Sequence, residues 1–447
     1  MKKKIAFSIF LALFILYFNN PLFAAFRTGL PHNPDWKVDE EIAEFVPGWN
    51  QGYFKCRPPK SGYNEIIEKQ KILNSWGYKA RPIEEIKDLL PEPNYELYSN
   101  PEIWGTIRIN ETPWEAVKPR GVMWEKFMAQ SEKNKKVCYI DKDSWLRGYK
   151  YGIPFPELDE KDPQIAVKLM WNFLKKYQDN DREVPMDICG KDRRGYERHN
   201  LFLNRRIQMR GRVRDDSHTQ DGLYYPNLKN FELVYTCPYV SPYNLRGTIV
   251  LYYRYNDPSQ ADDLWIYIPS IRRVRRMSTA QTQDRVPGGL DWTWDNAEGF
   301  EGNVTKFNCT YLGRKEMLVP VCAHSHAYWD PTSWLNSPDQ YYQRRLCYGV
   351  KCTYKEPVNM TDIEVWLDPV FFNCPFAINR DMKGRDWIVV SVSSGRGKNW
   401  FYTMYNDYAI DILRKHASRA QFSYSGGINS SHEDYTMENL KREFLSR

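Results

Sequence analysis

The feature that most restricts the fold is a change, near residue 200, to alternation of apolar and polar side chains. Between Arg206 and Arg214 the apolar residues Ile207, Met209 and Val213 alternate with arginine and glutamine, which is typical of a half-buried strand with a basic outer face. Turn sequences separate the strands that follow, without segments as long as a crossover helix, so an antiparallel sheet is predicted. These later strands are Phe231 to Cys237, Gly247 to Tyr255, Leu264 to Ile268, Tyr311 to Val319, Ile363 to Leu367 and Trp387 to Ser393.

Residues 26–195 are richer in proline and glutamate and contain short amphipathic stretches. Apolar residues between Lys60 and Trp76 have helical spacing. The clearest helix signal starts at Asp162, an N-cap residue, with Pro163 at the first helical position. Such a helix either packs into an ordinary core or lies over the mouth of a sheet. Its apolar residues recur every three or four positions: Ile165, Leu169, Met170, Phe173, Leu174 and Tyr177.

The first 25 residues have the pattern of a cleavable secretory signal. Three lysines precede an apolar run of 14 residues from Ile5 to Phe18. This run is shorter than the roughly 20 residues that a membrane-spanning helix needs. Small residues, Ala24 and Ala25, stand where a signal peptidase would cut. We therefore expect a signal peptide at 1–25 and a periplasmic location, with a retained N-terminal anchor as the alternative.

The charge of the chain argues against one broad class of function. Removal of residues 1–25 takes away three lysines and no acid, which leaves 60 basic and 56 acidic side chains and a net charge of +4. This excess is too small to be typical of a nucleic-acid-binding protein, and export also separates the chain from nucleic acid. Nucleic acid is therefore not an expected partner.

Nine cysteines are unusual as free thiols in an oxidising compartment, so some are expected to form disulfides. The best local candidate is the pair Cys347 and Cys352, which flank four residues like the two ends of a tight hairpin. The odd number leaves at least one thiol unpaired. Cys322, His324 and His326 stand at alternate positions, but one such group is a weak metal signal. A loop disulfide with two surface histidines is favoured there, and no metal site is predicted.

Four arginines lie close together at the end of the segment Trp265 to Arg276. Alternation places Arg273 and Arg275 on one face of a strand and the other two, Arg272 and Arg276, on the opposite face. A buried guanidinium without a partner is very unfavourable, so each arginine needs a carboxylate, phosphate or carbonyl group. Two interpretations stay open: internal salt bridges, or a pocket rim that contacts an anionic head group.

Motifs of catalysis are missing from the sequence. It contains no Gly-x-Ser-x-Gly, no His-Glu-x-x-His and no glycine-rich phosphate loop. The carboxylate pairs Asp215-Asp216 and Asp262-Asp263 are adjacent in the chain and would face opposite sides of a strand. A protein that is not an enzyme is therefore expected, without a cofactor. A secreted carbohydrate-active enzyme is the less favoured alternative, because its two acids would be set apart by the fold.

The segment Trp265-x-Tyr267-x-Pro269, followed by the arginines up to Arg276, resembles the signature of the outer-membrane lipoprotein-sorting (LolA/LolB-like) superfamily. A longer pattern, over about residues 145–325, resembles the DUF1329 family of exported proteins within that superfamily. The matching pieces are Gly152 to Pro156, Trp171-Asn172, Gly247-Thr248, Gly288 to Leu290 with Asp295, Phe300-x-Gly302, Leu312 to Met317 and Val319-Pro320.

The resemblance implies an α+β fold, namely a curved, incomplete antiparallel β-barrel that is covered by helices and encloses an apolar cavity. The expected organisation is a mixed helical and loop-rich region at 26–195, the β half-barrel at 196–425 and a polar C-terminal tail or helix at 426–447. Relatives of this shape carry acylated molecules across the periplasm. Members of the DUF1329 family are thought to accompany transporters of the RND (MMPL) type, which move hydrophobic compounds.

We therefore expect a periplasmic carrier for a lipid or other hydrophobic molecule that works with an RND (MMPL-type) exporter and with outer-membrane components. A non-carrying adaptor of a transporter complex is the alternative. The segment Asp284 to Gly302 is expected to form a mobile lid. The expected ligand-binding residues are the aromatic residues of the cavity and the arginines of its rim: Trp265, Tyr267, Trp292, Trp294, Arg272, Arg273, Arg275 and Arg276.

Overall fold

A computed structural model describes the chain at residues 71–74, 80–99, 108–111, 121–194, 196–257, 259–277, 282–322, 341–396 and 402–422. The predicted signal peptide at 1–25 and the predicted polar tail at 426–447 lie outside the described residues. His324 and His326 of the weak metal signal also lie outside them.

Strands make up most of the described structure, and three α-helices accompany them. The helices are α1 (Glu92–Tyr98), α2 (Val122–Val137) and α3 (Ile165–Leu174), and 3-10 turns occur at Ile83–Leu89, Pro269–Ile271, Ala297–Gly299 and Val304–Lys306. The strands are β1 (Lys71–Asn74), β2 (Ala80–Pro82), β3 (Arg108–Glu111), β4 (Tyr139–Ile140), β5 (Leu146–Arg147), β6 (Asp181–Lys191), β7 (Glu197–Gln208), β8 (Thr219–Gln220), β9 (Leu223–Tyr224), β10 (Phe231–Ser241), β11 (Ile249–Tyr255), β12 (Asp263–Ile268), β13 (Arg273–Met277), β14 (Phe307–Cys322), β15 (Tyr341–Tyr354), β16 (Met360–Leu367), β17 (Phe376–Asp381), β18 (Asp386–Arg396), β19 (Tyr402–Asp411) and β20 (His416–Phe422).

Sixteen of the described strands form one sheet, in the order β13-β12-β11-β10-β7-β6-β20-β19-β18-β17-β16-β15-β3-β1-β2, with β14 also paired to β15. The pairings are antiparallel except β1 with β3 and β3 with β15. The two halves of the chain meet where β20 pairs with β6, and Ala417 lies opposite Lys191. Within the described residues no pairing joins β13 to β14, so the barrel is incomplete, as the sequence predicts.

Several β-bulges account for the curvature of the sheet, because an extra residue on one strand bends it and increases its twist. Register shifts occur in the pairings of β10, β14, β16, β17 and β18. In β14 the shift lies between Tyr311 and Gly313. Gly313 has a φ of +93°, a left-handed conformation that glycine adopts without strain.

The sheet has an inner face, which carries Val250 and Tyr252, and an outer face, which carries Ile249 and Leu251. Val250 and Tyr252 belong to the main core. Ile249 and Leu251 belong to a second apolar cluster, in which the segment after β7 contributes Met209 and Tyr224. Strand β11 is therefore buried on both faces, which explains why its sequence is apolar without alternation.

Helix α3 packs on the sheet, and it begins at Ile165 with Gln164 as its N-cap residue, so Asp162 and Pro163, predicted as N-cap and first helical position, precede it. The side chain of Asp162 accepts a hydrogen bond of 2.8 Å from the Gln164 amide just before the helix. The helix packs on β14 and β15, and Phe173 contacts Phe300 edge-to-face at 6.4 Å. The apolar face of α3 therefore packs into the core beside the segment that follows β13.

Two helices hold the Gly152 to Pro156 motif between them. Asn172 on α3 donates to the Phe155 carbonyl at 2.8 Å and accepts from the Phe155 amide at 2.9 Å. Ser131 on α2 accepts from the Ile153 amide at 2.8 Å. Gly152 has a φ of +87°, and a Cβ atom there would lie 2.8 Å from the Ser131 amide nitrogen. The motif thus needs glycine because the backbone approaches α2 so closely.

Two features of the fold differ from the sequence-based expectations: the type of one element, and the residue at which the main sheet begins. Ile72 and Leu73, predicted in a helix, lie in β1, because pairing with β2 and β3 overrides a weak helical pattern. The main sheet already includes β6, which precedes residue 196, where the half-barrel is predicted to begin. Pro185 and the charged residues of β6 conceal its strand character, since proline is depleted in central strands.

The predicted strand from Arg206 to Arg214 ends at Gln208, and its basic side is not the outer one. Ile207 packs in the outer cluster, whereas Arg206 faces inward. Arg212 has turned into the protein, where its guanidinium contacts both carboxylate oxygens of Asp181 at 2.8 Å. It also donates to Asp216 at 2.8 Å. Arg206 thus alternates with Ile207 but faces inward, toward Glu298 and Glu301, and Arg212 reaches its carboxylate partners after the strand has ended.

The predicted disulfide between Cys347 and Cys352 is contradicted. Both residues lie on the single strand β15, and both are free and buried. Five residues of strand span roughly 16 Å, well beyond the roughly 7 Å at which two cysteines can be bridged. The segment between them continues the strand and does not form a hairpin turn.

Replacement of Arg212 by methionine should lower the free energy of unfolding by about 3 to 5 kcal/mol, because Asp181 and Asp216 lose a buried partner. Denaturant unfolding measures the change. The matched control, Arg194→Met at an exposed site, should change the free energy by less than about 0.5 kcal/mol. Equal effects of the two substitutions would contradict this account.

Candidate ligand-binding site

A cavity of about 120 Å³ lies between the inner face of the sheet and the segment Asp284 to Gly302. The surface of this cavity is mainly apolar. The sheet contributes Met186, Ile188, Tyr235, Cys237, Tyr239, Val250 and Ala420. The segment contributes Val286, Leu290, Trp292, Trp294 and Ala297.

Strand alternation positions the residues on the sheet side. On β6, Met186 and Ile188 are two residues apart and share a face. On β10 the same spacing brings Tyr235, Cys237 and Tyr239 into the cavity wall. The period-two pattern that predicts the sheet therefore also supplies one wall of the site.

The segment Asp284 to Gly302, called the cover segment below, forms the opposite wall and is fastened to the sheet by carboxylates. Asp291 accepts hydrogen bonds from Ser418 at 2.7 Å and from Arg285 at 2.6 Å. Nearer the end of the segment, Asp295 accepts from Tyr354 at 3.0 Å. Before these two anchors in the chain, the hydroxyl of Tyr239 donates to the Pro287 carbonyl at 3.1 Å. The cover segment is thus held by polar contacts, and its predicted mobility stays a prediction.

One end of the cavity carries charged groups. Arg206 Nη1 lies 3.6 Å from Glu298 Oε1 and 3.6 Å from Glu301 Oε2. Arg182 also pairs with Glu298, and Lys176 Nζ lies 3.7 Å from the same carboxylate. These partners compensate for the removal of the charges from water. The cavity is therefore amphipathic. One part is apolar, and the other is formed by Arg182, Arg206, Glu298 and Glu301, called the ion-paired wall below.

Two carboxyl groups in the cavity wall have pKa values that are shifted in opposite directions. Burial alone would raise the pKa of Glu298, but the Arg182 guanidinium, with Lys176 and Arg206, lowers it below the ordinary value. Burial raises the pKa of Asp407 well above its ordinary value, and the Glu298 carboxylate adds to this effect. Glu298 is thus held ionised, while the protonated form of Asp407 is favoured.

A second, smaller cavity of about 30 Å³ adjoins the ion-paired wall on the side of α3. Arg206 lines both cavities. Arg254 lies in the wall of the smaller cavity, and its Nη1 is 3.6 Å from Glu301. In the same wall, burial lowers the pKa of Lys175 well below its ordinary value, helped by three neighbouring guanidinium groups. The two spaces are thus separated by buried ion pairs.

The structure brings together two of the four predicted aromatic ligand residues. Trp292 and Trp294 line the cavity and are 3% and 8% exposed. Trp265 and Tyr267 pack against the outer cluster instead, because they lie opposite Leu251 and Ile249 in the pairing of β12 with β11. These two residues are therefore remote from the cavity.

The four predicted arginines lie at the edge of the sheet and do not line the cavity. Arg272, which precedes β13, and Arg273, Arg275 and Arg276 on β13 are exposed. Arg276 pairs with Asp263 and stands over the Trp265 ring at 5.7 Å. Strand β13 pairs with β12 alone among the described strands and is therefore an edge strand. A role of these arginines in ligand binding stays a prediction.

The sequence reasoning missed the ion-paired wall. Arg182 comes from β6, Arg206 from β7, and Glu298 and Glu301 from the cover segment. Their contacts join residues about 100 positions apart, which alternation cannot reveal. One usable signal was the pair of acids, Glu298 and Glu301, inside the segment already predicted to cover the sheet.

Three potential metal ligands lie within 4.8 Å of one another on β6 and β7: Cys189, Glu197 and His199. Cys189 is on the face opposite to Ile188 and therefore outside the cavity. The Lys191 ammonium group lies 3.3 Å from Glu197 and opposes a cation there. The trio therefore has the ligand types of a metal site but an unfavourable charge.

The acids considered for catalysis have other partners. Asp215 pairs with Lys126 at 2.7 Å, and Asp216 belongs to the Arg212 cluster. Asp262 is buried beside Arg254, whose Nε lies 3.3 Å away, and Asp263 accepts from the Tyr255 hydroxyl at 2.8 Å. Each of the four carboxylates therefore has a hydrogen-bond or ion-pair partner in the structure.

Comparison with known proteins identifies the family. The DUF1329 family model, described as a protein of unknown function, matches residues 79–357, more than half of the chain. The chain therefore belongs to the DUF1329 family. No curated protein matches the sequence. Among the described residues, no helix has both the length and the apolar character needed to cross a membrane.

Three solved structures illustrate the similarity of this chain to known folds. A DUF1329 family protein from Desulfovibrio piger is 14% identical, with 57% of this chain and 88% of the other covered and a TM-score of 0.42. A domain named for outer membrane lipoprotein sorting, from Vibrio parahaemolyticus, is 12% identical, with coverages of 60% and 92% and a TM-score of 0.42. A LolA superfamily protein from Nitrosomonas europaea is 13% identical, with coverages of 56% and 86% and a TM-score of 0.36.

Replacement of Asp407 by asparagine should make stability less dependent on pH. Since its folded-state pKa is raised, the folded protein keeps this proton longer than the unfolded chain. Stability of the wild type therefore falls as pH rises from the ordinary carboxyl range to the folded-state pKa, by at most about 1.4 kcal/mol per pH unit for one proton. The asparagine variant lacks this contribution.

The measurement is denaturant unfolding at a series of pH values. The free energy of unfolding of the Asp407→Asn variant, minus that of the wild type, should increase as pH rises. The control variant Asp143→Asn, at an exposed site, should follow the wild type throughout. A difference between Asp407→Asn and wild type that is constant with pH would contradict the assignment.

Proposed function

We propose that this protein is an exported, periplasmic carrier that binds a lipid or other hydrophobic molecule between the sheet and the cover segment. The observation that carries the proposal is the cavity, whose walls are formed by apolar side chains from β6, β10 and β11 on one side and Trp292 and Trp294 on the other. Pockets for hydrophobic ligands combine such a lining with a few polar groups at one end.

The energetics of the cargo support a carrier. An acyl chain of about 16 carbons gains on the order of 13 kcal/mol on leaving water, at roughly 0.8 kcal/mol per methylene. Such a molecule does not cross an aqueous compartment unaided at a useful rate. A protein that moves it must offer an apolar space and must also release it.

The volume of the cavity supports a mobile cover. At about 120 Å³ it is close to the roughly 150 Å³ of a cavity that holds benzene, and smaller than a whole acyl chain. In the described conformation it accepts a ring or a short hydrocarbon segment. We propose that the cover segment moves away from the sheet to admit the remainder of the acyl chain. Its anchors at Asp291 and Asp295 are polar contacts that water can replace, and the ligand would cover the apolar surface that opening exposes on Trp292 and Trp294.

The proposed partner is an RND (MMPL-type) exporter, with outer-membrane components at the other end of the route. The sequence resemblance supports this partner. The exposed arginines at the β13 edge, Arg272, Arg273, Arg275 and Arg276, are the proposed docking surface. The same surface favours the second candidate function, an adaptor that binds a transporter and carries nothing.

Native mass spectrometry of the full chain purified from cells, followed by organic extraction, tests the carrier. The expected result is one amphiphile per protein. A chain without ligand that still binds an RND transporter would favour the adaptor, and hydrolysis of glycans would favour the carbohydrate-active alternative.

A substitution in the cavity makes this test specific. Ala297→Phe should fill the space beside Trp294 and reduce the bound amphiphile at least about tenfold, since loss of burial of two methylenes already corresponds to about 1.6 kcal/mol. Ala261→Phe at an exposed position is the matched control and should keep the ligand. Circular dichroism verifies that both variants fold. Full occupancy in folded Ala297→Phe would contradict the proposed site.

A further inference from the structure

Two cysteines from different strands face each other in the sheet. Cys309 on β14 and Cys352 on β15 are directly opposite in the antiparallel register, and their Sγ atoms are 3.5 Å apart. They are 43 positions apart in the sequence. Side chains directly opposite on neighbouring strands have Cβ atoms roughly 4.5 to 5.5 Å apart, so small rotations bring their sulfurs to bonding distance.

The two thiols of the pair differ in their exposure to solvent. Cys352 is buried, whereas Cys309 is half-exposed. Burial raises the pKa of the Cys352 thiol well above its ordinary value. Cys309 is therefore the thiol that a reagent from solution meets first, and Cys352 is held beside it to complete the bond.

Other described cysteines are less well placed to compete. Cys347 lies on the same strand as Cys352, opposite Lys315 on β14. Cys374 is buried, and its thiol donates to the Phe376 carbonyl at 3.2 Å. Among the described cysteines, no other pair has sulfur atoms in such contact.

We propose that Cys309 and Cys352 form a cross-strand disulfide in the exported protein. The physiological setting of the bond rests on the export proposed above. Each thiol loses its proton, a sulfur–sulfur bond forms, and the two electrons reduce the disulfide of a thiol–disulfide oxidant to two thiols. In vitro, oxidised glutathione supplies that disulfide.

The bond fastens a region that supports the cavity. Two positions along the strands from the cysteines, Phe307 and Tyr354 are also opposite each other, and their rings are 4.4 Å apart. Tyr354 in turn donates to Asp295, an anchor of the cover segment. The disulfide thus joins β14 to β15 beside the point where the cover segment attaches. It also closes a long loop of chain, which restricts the unfolded state.

Peptide mapping after equilibration of the full chain with oxidised glutathione tests the proposal. Free thiols are blocked with an alkylating reagent, and the protein is digested without reduction. The expected product is a linked peptide pair that contains Cys309 and Cys352, with two fewer alkylated cysteines than in the reduced chain. Alkylation of both residues, or a link from Cys352 to Cys347 or Cys374, would overturn the proposal. The test does not depend on the location of the chain in the cell, so a failure of export and a failure of the bond are distinguished.

Two variants and a stability measurement complete the test. Cys309→Ser should leave Cys352 open to alkylation under denaturing conditions, while Cys138→Ser at a half-buried site on another part of the fold should keep the link. Chemical reduction should lower the midpoint of thermal unfolding of the wild type and of Cys138→Ser, and should not change that of Cys309→Ser. An equal drop in Cys309→Ser would assign the bond to another pair and contradict the proposal.

Discussion

The attachment of the cover segment across the inner face of the sheet is the interaction on which the site depends. Asp291 is fastened to β20 through Ser418, and Asp295 is fastened to β15 through Tyr354. Between these points Trp292 and Trp294 are held against the apolar residues of β6 and β10. Without this attachment the inner face of the sheet would be an open apolar surface. With it, the same surface becomes one wall of a partly open cavity.

The ion-paired wall explains why the space is not filled with apolar side chains throughout. Glu298 and Glu301 enter from the cover segment, and Arg182 and Arg206 enter from the sheet. Charged groups this deeply buried are tolerated because each has a partner of opposite sign. The wall therefore gives the cavity one polar end, which can orient an amphiphile whose tail lies against the tryptophans.

Much of the fold follows from local sequence patterns, and the site follows from them only in part. Alternation revealed β10, β12 and β14, and the Asp162 signal revealed α3, because these patterns depend on a single buried face. Alternation did not predict β6, because Pro185 and charged residues conceal a central strand. It also placed Arg206 on the outer face, whereas Arg206 points inward to acids roughly 100 residues away in the sequence. Trp265, Tyr267, Trp292 and Trp294 are all predicted as strand aromatics that line the cavity. Trp292 and Trp294 do line it, whereas Trp265 and Tyr267 do not, because alternation alone does not show which face of the sheet is inner. The cysteine pairing could not be found from spacing, since the strand register alone brings Cys309 to Cys352.

The most direct test of the central claim is a crystal structure of the full chain with a brominated alkyl alcohol. Anomalous scattering locates the bromine independently of the protein side chains. The account predicts a bromine peak between Ile188 on the sheet and Trp292 or Trp294 on the cover segment. A structure in which these side chains close the space, with bromine absent from it, would contradict the carrier.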